Sequence, residues 1–231
     1  MKLGIFSDIH GNVYAFEKML QLLLKERCDR HIFLGDICGY YCYNDEIIDF
    51  LRLNHRCLIS ILGNHDKMFL DTLLDRDLEK KYIHKFGHSS LHLKKNIKRK
   101  NIDFLKELPS SYFISNFNLG FFHGSPWDHL EGYVYPDSSF TDFKKLKYKL
   151  VFLGHTHYSM MARCGKVTII NPGSVGQPRD GNNPSFAVYD TDSNKIAIKR
   201  FTYDSRVLIK EIKRRKESKP FLIEVLGRGT N

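Results

Sequence analysis

The chain predicts an α/β fold, counted as α+β in some schemes, in which two sheets pack within one domain spanning residues 1–231. Three observations predict it. The first third alternates short apolar runs with amphipathic helical stretches, the pattern of parallel strands joined by right-handed crossovers. The second half changes to short strands with few helical intervals. No linker, low-complexity segment or tandem repeat divides the 231 residues, a length that suits one large domain.

Leu3 to Phe6 reads as a strand ending at Ser7-Asp8-Ile9-His10. Asn12 then caps a helix on which Val13, Phe16, Met19, Leu20, Leu23 and Leu24 recur at helical spacing to about Arg27. His31 to Leu34 is a second strand, ending at Gly35-Asp36. After a tyrosine-rich loop, Asn44-Asp45-Glu46 caps a helix carrying Ile47, Phe50 and Leu51. The run Cys57 to Leu62 is a third strand, which Gly63 turns out of the sheet at Asn64-His65-Asp66. Residues 67–108 are helical and charged, a segment expected to cover a sheet face or cap one side of the site. Pro109 halts its last amphipathic piece. Strands follow at Tyr112 to Ser115 and Leu119 to Phe122, leading into His123-Gly124-Ser125-Pro126. Another, Leu150 to Leu153, ends at Gly154-His155-Thr156-His157. Strands near 160–163, 167–170, 185–189 and 195–201 complete the sheets. Asp204-Ser205 caps a helix with Val207, Leu208 and Ile212.

Composition narrows the class. Hydrophobic residues make up 42% and aromatics 13% of the chain, enough for a sizeable core and too many for a disordered protein. No apolar run approaches the roughly 20 residues that span a bilayer. The first strand begins almost at Met1 and leaves no room for a signal peptide. The five cysteines are odd in number and form no Cys-x-x-Cys pair, as expected of reduced thiols in a cytoplasmic protein. A net charge of +10 fits either a solvated basic surface or a phosphate-rich polymer as partner. The cluster Lys94, Lys95, Lys98, Arg99 and Lys100 is read as a solvated face.

Five strand ends offer metal-capable groups: Asp8 with His10, Asp36, Asn64 with His65, His123, and His155 with His157. Each alone is an ordinary turn or a satisfied histidine. Their recurrence at successive strand ends points to one dimetal site, since ligand sites of α/β folds gather at such ends. Carboxylate, imidazole and amide without thiolate suit Mn, Fe, Zn, Ni or Co better than an all-oxygen calcium cage.

The blocks Asp-x-His, Gly-Asp, Gly-Asn-His-Asp, a later His and Gly-His-x-His, in that order from Asp8 to His157, resemble the calcineurin-like metallophosphoesterases. Gly-Asp-Ile-Cys-Gly-Tyr at 35–40, His-Gly-Ser-Pro at 123–126 and Asn-Pro-Gly-Ser-Val-Gly-Gln-Pro-Arg-Asp-Gly at 171–181 resemble that superfamily's small prokaryotic phosphodiesterase-like group. The resemblance implies a four-layer α-β-β-α sandwich, two mixed sheets face to face with helices outside. It puts Asp8, His10, Asp36 and His157 on one metal, and Asp36, Asn64, His123 and His155 on the second. Mn²⁺ is the ion it leads one to expect. A bridging hydroxide would attack phosphorus, with His65 as general acid to the leaving oxygen. Asp66 is expected to cap the next helix or orient a neighbour.

The substrate expected is a phosphodiester or phosphomonoester of nucleotide type. Asn64, Tyr40, Tyr41 and Arg179 are candidate substrate contacts. Tyr40, Tyr41, Tyr43, Trp127, Tyr133 and Tyr135 either stack a nucleobase or pack loops, and Arg179 either holds a phosphate or belongs to a structural turn. Superfamily phosphatases with Arg-Gly after Gly-Asp lose support, because Ile37-Cys38-Gly39-Tyr40 stands there. A nuclease or RNA-end-processing enzyme is the alternative, favoured by the basic surface. A non-catalytic scaffold of the same fold is less expected, because all the ligands and His65 are present.

Overall fold

The computed structural model describes residues 1–217 and 219–227. The expected alternation is realised as β1 (Lys2–Phe6), α1 (Val13–Glu26), β2 (Arg30–Phe33), α2 (Asn44–Leu53) and β3 (Leu58–Ser60). Four helices follow: α3 (Asn64–Thr72), α4 (Arg76–Phe86), α5 (Ser89–Asn96) and α6 (Arg99–Glu107). Then come β4 (Ser111–Ile114), β5 (Leu119–Phe122), β6 (Leu150–Phe152), β7 (Met160–Cys164), β8 (Val167–Asn171), β9 (Ser185–Asp190) and β10 (Lys195–Arg200). Helices α7 (Arg206–Arg214) and α8 (Phe221–Gly227) come last. No helix among the described residues is long and apolar enough to cross a membrane.

The strands form two mixed sheets of five. In the order β10-β9-β1-β2-β3, the last three are parallel and β9 and β10 are antiparallel additions. In the order β4-β5-β6-β8-β7, the central three are parallel and both edges antiparallel. The period of two along each strand divides the core. Leu3 and Ile5, Ile32 and Leu34, Leu119 and Phe121, and Leu150 and Phe152 meet between the sheets. Their neighbours Phe6, Phe33, Phe186 and Val188 face outwards under α1 and α2. Phe122, Val151, Leu153 and Ile169 face the other way, under the 123–149 loop and its 3₁₀ turn at Thr141–Lys145. The fourth layer of the sandwich is thus built from loop and 3₁₀ turn.

Local details differ from the sequence expectations for physical reasons. Asn12 does cap α1, accepting from the Ala15 N–H. The Asn44 side chain does not cap α2; it is buried and donates to the Tyr41 carbonyl. Ser205 makes no capping bond, and Asp204 accepts from the Arg206 N–H instead. Leu24 and Val207 are 76% and 48% exposed, because each sits one residue, about 100° of helix, from a buried neighbour. Helix α3 starts at Asn64, so the polar residues after Gly63 form its first turn. Gly63 itself is extended, with φ −97°. It is glycine for want of space: a Cβ there would lie 2.1 Å from Asp36 Oδ1. The basic cluster is largely paired, Lys94 with Glu79, Lys98 with Asp45 and Asp49, and Arg99 with Asp103.

Candidate metal centre

Parallel strands present their carboxyl ends at the same edge, so β1, β2, β3, β5 and β6 deliver their following residues to one place. The turns that do this are sharp. Asp8, His10, Asp36, Tyr40, His155 and His157 all have positive φ, between 48° and 68°. Left-handed backbone costs an L-residue roughly 1–2 kcal/mol. Its concentration here marks a site that the surrounding fold over-determines.

The side chains converge in two overlapping groups. Asp8, His10, Asp36 and His157 offer ligand atoms all within 4.8 Å of one another, and Asp36, His123 and His155 do the same. Asp36 Oδ2 stands at the junction, 3.6 Å from His10 Nε2 and 3.4 Å from His123 Nε2. On the first side, His157 Nε2 lies 3.4 Å from Asp8 Oδ1 and 3.1 Å from His10 Nε2. On the second, Asn64 Oδ1 lies 3.0 Å from His123 Nε2 and 3.1 Å from His155 Nδ1. All seven side chains are buried.

These groups fit two divalent ions. Asp8 Oδ1, Asp36 Oδ2 and His155 Nε2 are buried without a hydrogen-bond partner, a costly state that a cation relieves. Backbone carbonyls fix three rings. His10 Nδ1 contacts the Cys38 carbonyl at 2.8 Å, His123 Nδ1 that of Leu34 at 2.8 Å, and His157 Nδ1 that of Gln177 at 2.6 Å. A carbonyl only accepts, so each Nδ1 carries the proton; the Nε2 atoms of His10 and His157 then turn lone pairs to the cluster, and that of His123 faces the acceptors Asn64 Oδ1 and Asp36, giving up its proton when a cation binds. Burial holds His10 and His157 well below the usual histidine range and His155 down at about 3, the neutral state that ligation requires. Burial also lowers His123, but Asp36 outweighs it and raises that ring to about 9. Asp36 is correspondingly held low: burial opposes its charge, and His123, His65 and His10 outweigh burial. Burial pushes Asp8 up to about 7, aided by the like charge of Asp36. The protein supplies too little positive charge for two buried carboxylates.

Around this cluster stands a second set of contacts. Asp66 accepts four backbone N–H groups: Asp36 at 3.0 Å, Ile37 at 2.9 Å, Cys38 at 2.8 Å and Gly63 at 3.1 Å. It therefore ties the start of α3 to the loop that aims Asp36. Asp36 in turn takes the His65 N–H on Oδ1, at 2.8 Å, leaving Oδ2 for the junction. The Ser174 hydroxyl holds the Asp8 carbonyl at 2.8 Å, and Asn171 holds the Gly154 carbonyl at 2.7 Å. This gives the 171–181 segment a bracing part that no single residue in it announces.

His65 is buried against Phe86 and His10, with ring centroids 4.5 Å and 5.0 Å away. Burial lowers its pKa to about 4. Its Nδ1 lies 2.9 Å from the Tyr82 hydroxyl of α4. The hydroxyl can donate to neutral His65 or accept from Nδ1–H when the ring is the imidazolium, and in both states Nε2 carries a proton. Sequence reading missed Tyr82, Lys85, Phe86 and Glu131: α4 sets Tyr82 against His65 and brings Lys85 and Phe86, with Glu131 from the loop after β5, to a cleft of ≈ 280 Å³ that also reaches Asp36, Asn64, His65 and Arg179.

The candidate substrate contacts separate. Tyr40 lines the cleft, and its hydroxyl accepts from Arg179 Nη2 at 2.6 Å. Tyr41 is not brought there: it is 2% exposed, and its hydroxyl donates to the Leu222 carbonyl of α8. Tyr43 bonds Tyr14, and Trp127 packs on Phe143. Tyr133 lies over His155 at 4.2 Å and stacks on Tyr135.

Comparison with known proteins agrees with this architecture. The family model for the calcineurin-like phosphoesterase superfamily domain matches residues 1–194. The chain is 34% identical over 235 residues to an uncharacterized protein, MJ0912, of Methanocaldococcus jannaschii, covering 91% of each. A metallophosphoesterase from Sphaerobacter thermophilus superposes with a TM-score of 0.83 at 27% identity, covering 100% of this chain and 99% of that one. Hypothetical protein PH1004 from Pyrococcus horikoshii shares the fold, with a TM-score of 0.78 at 20% identity and 97% of each chain covered.

Proposed function

The chain belongs to the calcineurin-like phosphoesterase superfamily, and from that premise we propose that it hydrolyses a phosphodiester or phosphomonoester of nucleotide type in the cytoplasm. Two divalent ions, Mn²⁺ by expectation, would be held by Asp8, His10, Asp36 and His157, and by Asp36, Asn64, His123 and His155. The observation that carries this is the junction at Asp36 Oδ2, a buried oxygen without a hydrogen-bond partner that stands between the Nε2 atoms of His10 and His123. Such ions, when bound, supply an activated water and Lewis-acid charge for phosphoryl oxygens.

The chain's own residues do the rest. His65 gives its Nε2 proton to the departing oxygen as the imidazolium, whose Nδ1–H donates to the Tyr82 hydroxyl and so fixes the ring's orientation. Asn64 orients a phosphoryl oxygen through its amide, and Arg179, steadied by Tyr40, offers a further donor to the substrate. Phe86 and Tyr40 screen the reacting centre from bulk water. The test is hydrolysis of bis-p-nitrophenyl phosphate and p-nitrophenyl phosphate by the Mn²⁺-loaded protein and by Asp36→Asn. Turnover that needs both the metal and Asp36 supports the reading; turnover indifferent to Asp36 rejects it.

The +10 net charge favours a second reading, a nuclease or RNA-end-processing phosphoesterase. A steep salt dependence on short RNA, with none on small diesters, would mark it.

A further inference from the structure

The cleft over the metal cluster does not end at His65. Tyr40, Lys85, Phe86 and Arg179, which line it, also line a neighbouring cavity of ≈ 280 Å³ that runs on to Phe221 and Val225 of α8. Two of the shared residues are the ones against His65: Phe86 at 4.5 Å and Tyr40 at 5.0 Å between ring centroids. Whatever oxygen His65 protonates therefore departs on this side.

The cavity has a charge of its own. Arg179 is half-buried, and its hydrogen bonds go to two neutral oxygens, Tyr40 Oη and Gln177 Oε1. Lys85 lies over the Phe86 ring with its ammonium 4.9 Å from the centroid. Neither pairs with a carboxylate among the described residues, whereas Lys94, Arg200 and Lys67 on the surface all do. Two unneutralised cations beside a cleft invite an anion. Apart from Gln177 the rest of the wall is apolar and aromatic, with Phe86 and Phe221 each edge-on to Tyr40, at 5.8 Å and 5.9 Å.

We propose that this cavity is a leaving-group subsite. It selects compounds whose departing portion carries a second phosphoryl group, held by Arg179 and Lys85, and a planar or apolar body against Phe86 and Phe221. A nucleoside diphosphate has this chemistry. In its hydrolysis water's oxygen bonds to the terminal phosphorus and releases a proton to solvent, the bond from that phosphorus to the bridging oxygen breaks, and the His65 imidazolium protonates the departing oxygen before regaining a proton from solvent. The inference rests on the phosphoesterase reading above.

The experiment compares p-nitrophenyl phosphate, inorganic pyrophosphate and ADP as substrates of the Mn²⁺-loaded protein, and measures AMP binding by calorimetry. Lys85→Gln and Arg179→Gln should each lower kcat/KM on pyrophosphate and ADP about tenfold more than on p-nitrophenyl phosphate. Phe221→Ala should lower it on ADP more than on pyrophosphate. Lys85→Gln should weaken AMP binding several-fold. Equal losses on all three substrates, together with AMP binding untouched by Lys85→Gln, would overturn the subsite. Absence of metal-dependent turnover on every substrate would overturn the activity instead, and a Lys85-dependent AMP affinity would then still establish the anion site.

Discussion

Asp66 is the residue whose loss should cost this fold most for the least change in volume. Asp66→Asn keeps the shape and replaces one carboxylate oxygen by an NH₂ group. In the structure each oxygen receives two backbone N–H groups: Ile37 and Cys38 on Oδ1, Asp36 and Gly63 on Oδ2. Asparagine can serve only one of those pairs, whichever way its amide is turned. Two buried N–H groups then face a donor. At about 1–3 kcal/mol for each unsatisfied buried group, the loss is about 2–6 kcal/mol, a large part of the ~5–15 kcal/mol that typically holds a domain together. The assay is urea denaturation of the metal-free protein at pH 8, above the value of about 6 to which burial and the like charge of Asp36 push Asp66 up. With a urea m-value of ~2–3 kcal/mol per M, the midpoint should fall by roughly 0.7–3 M. Metal affinity should fall too, because the Asp36 loop loses its tether. A midpoint shift under ~0.3 M would refute the bracing role.

His65→Ala should lower kcat about 10²–10⁴-fold on esters with poor, alkyl leaving groups and far less on p-nitrophenyl esters, which need no proton; equal losses on both would remove His65 from the acid role. Tyr82→Phe keeps the ring packing and removes the hydroxyl on His65 Nδ1; it should reproduce that leaving-group dependence in milder form, with kcat falling and KM little changed, whereas a matching loss on both ester types would make Tyr82 merely structural. Lys98, then Arg52, holds Asp49 down at about 2, below its ordinary 3.8. A depressed carboxylate stabilises the fold above about pH 4, and the contribution fades as pH falls towards 2; Asp49→Asn should flatten stability across that window in urea titrations, and an unchanged slope would contradict it.

Much of this was legible because the chain writes its site next to its strands. Ile5-Phe6, Phe33-Leu34, Phe121-Phe122 and Phe152-Leu153 split between two core layers by simple alternation, and the next few residues in each case carry the chemistry. Ligand identity therefore travels with strand periodicity, which a sequence displays. What the sequence hid depends on contacts between distant elements. Tyr82 reads as one apolar residue on a charged helix until α4 is laid against α3. Tyr41 stands beside Tyr40 in the chain, yet opposite orientations send one to the cleft and the other to the Leu222 carbonyl. Helix α8 is a short segment after Pro220 whose worth lies in the cavity it closes. Gly63 looked like a turn residue and is instead a gap for the Asp36 carboxylate.

The central claim is that one carboxylate oxygen joins two metal positions built from strand ends, and counting ions tests it most directly. Calorimetric titration of metal-free protein with Mn²⁺ should give two ions per chain for the wild type, and fewer than two at comparable affinity for Asp36→Asn. His155→Ala should keep one ion, on the side of Asp8, His10 and His157. A wild-type stoichiometry of one or none, or two ions retained by Asp36→Asn without loss of affinity, would contradict the account.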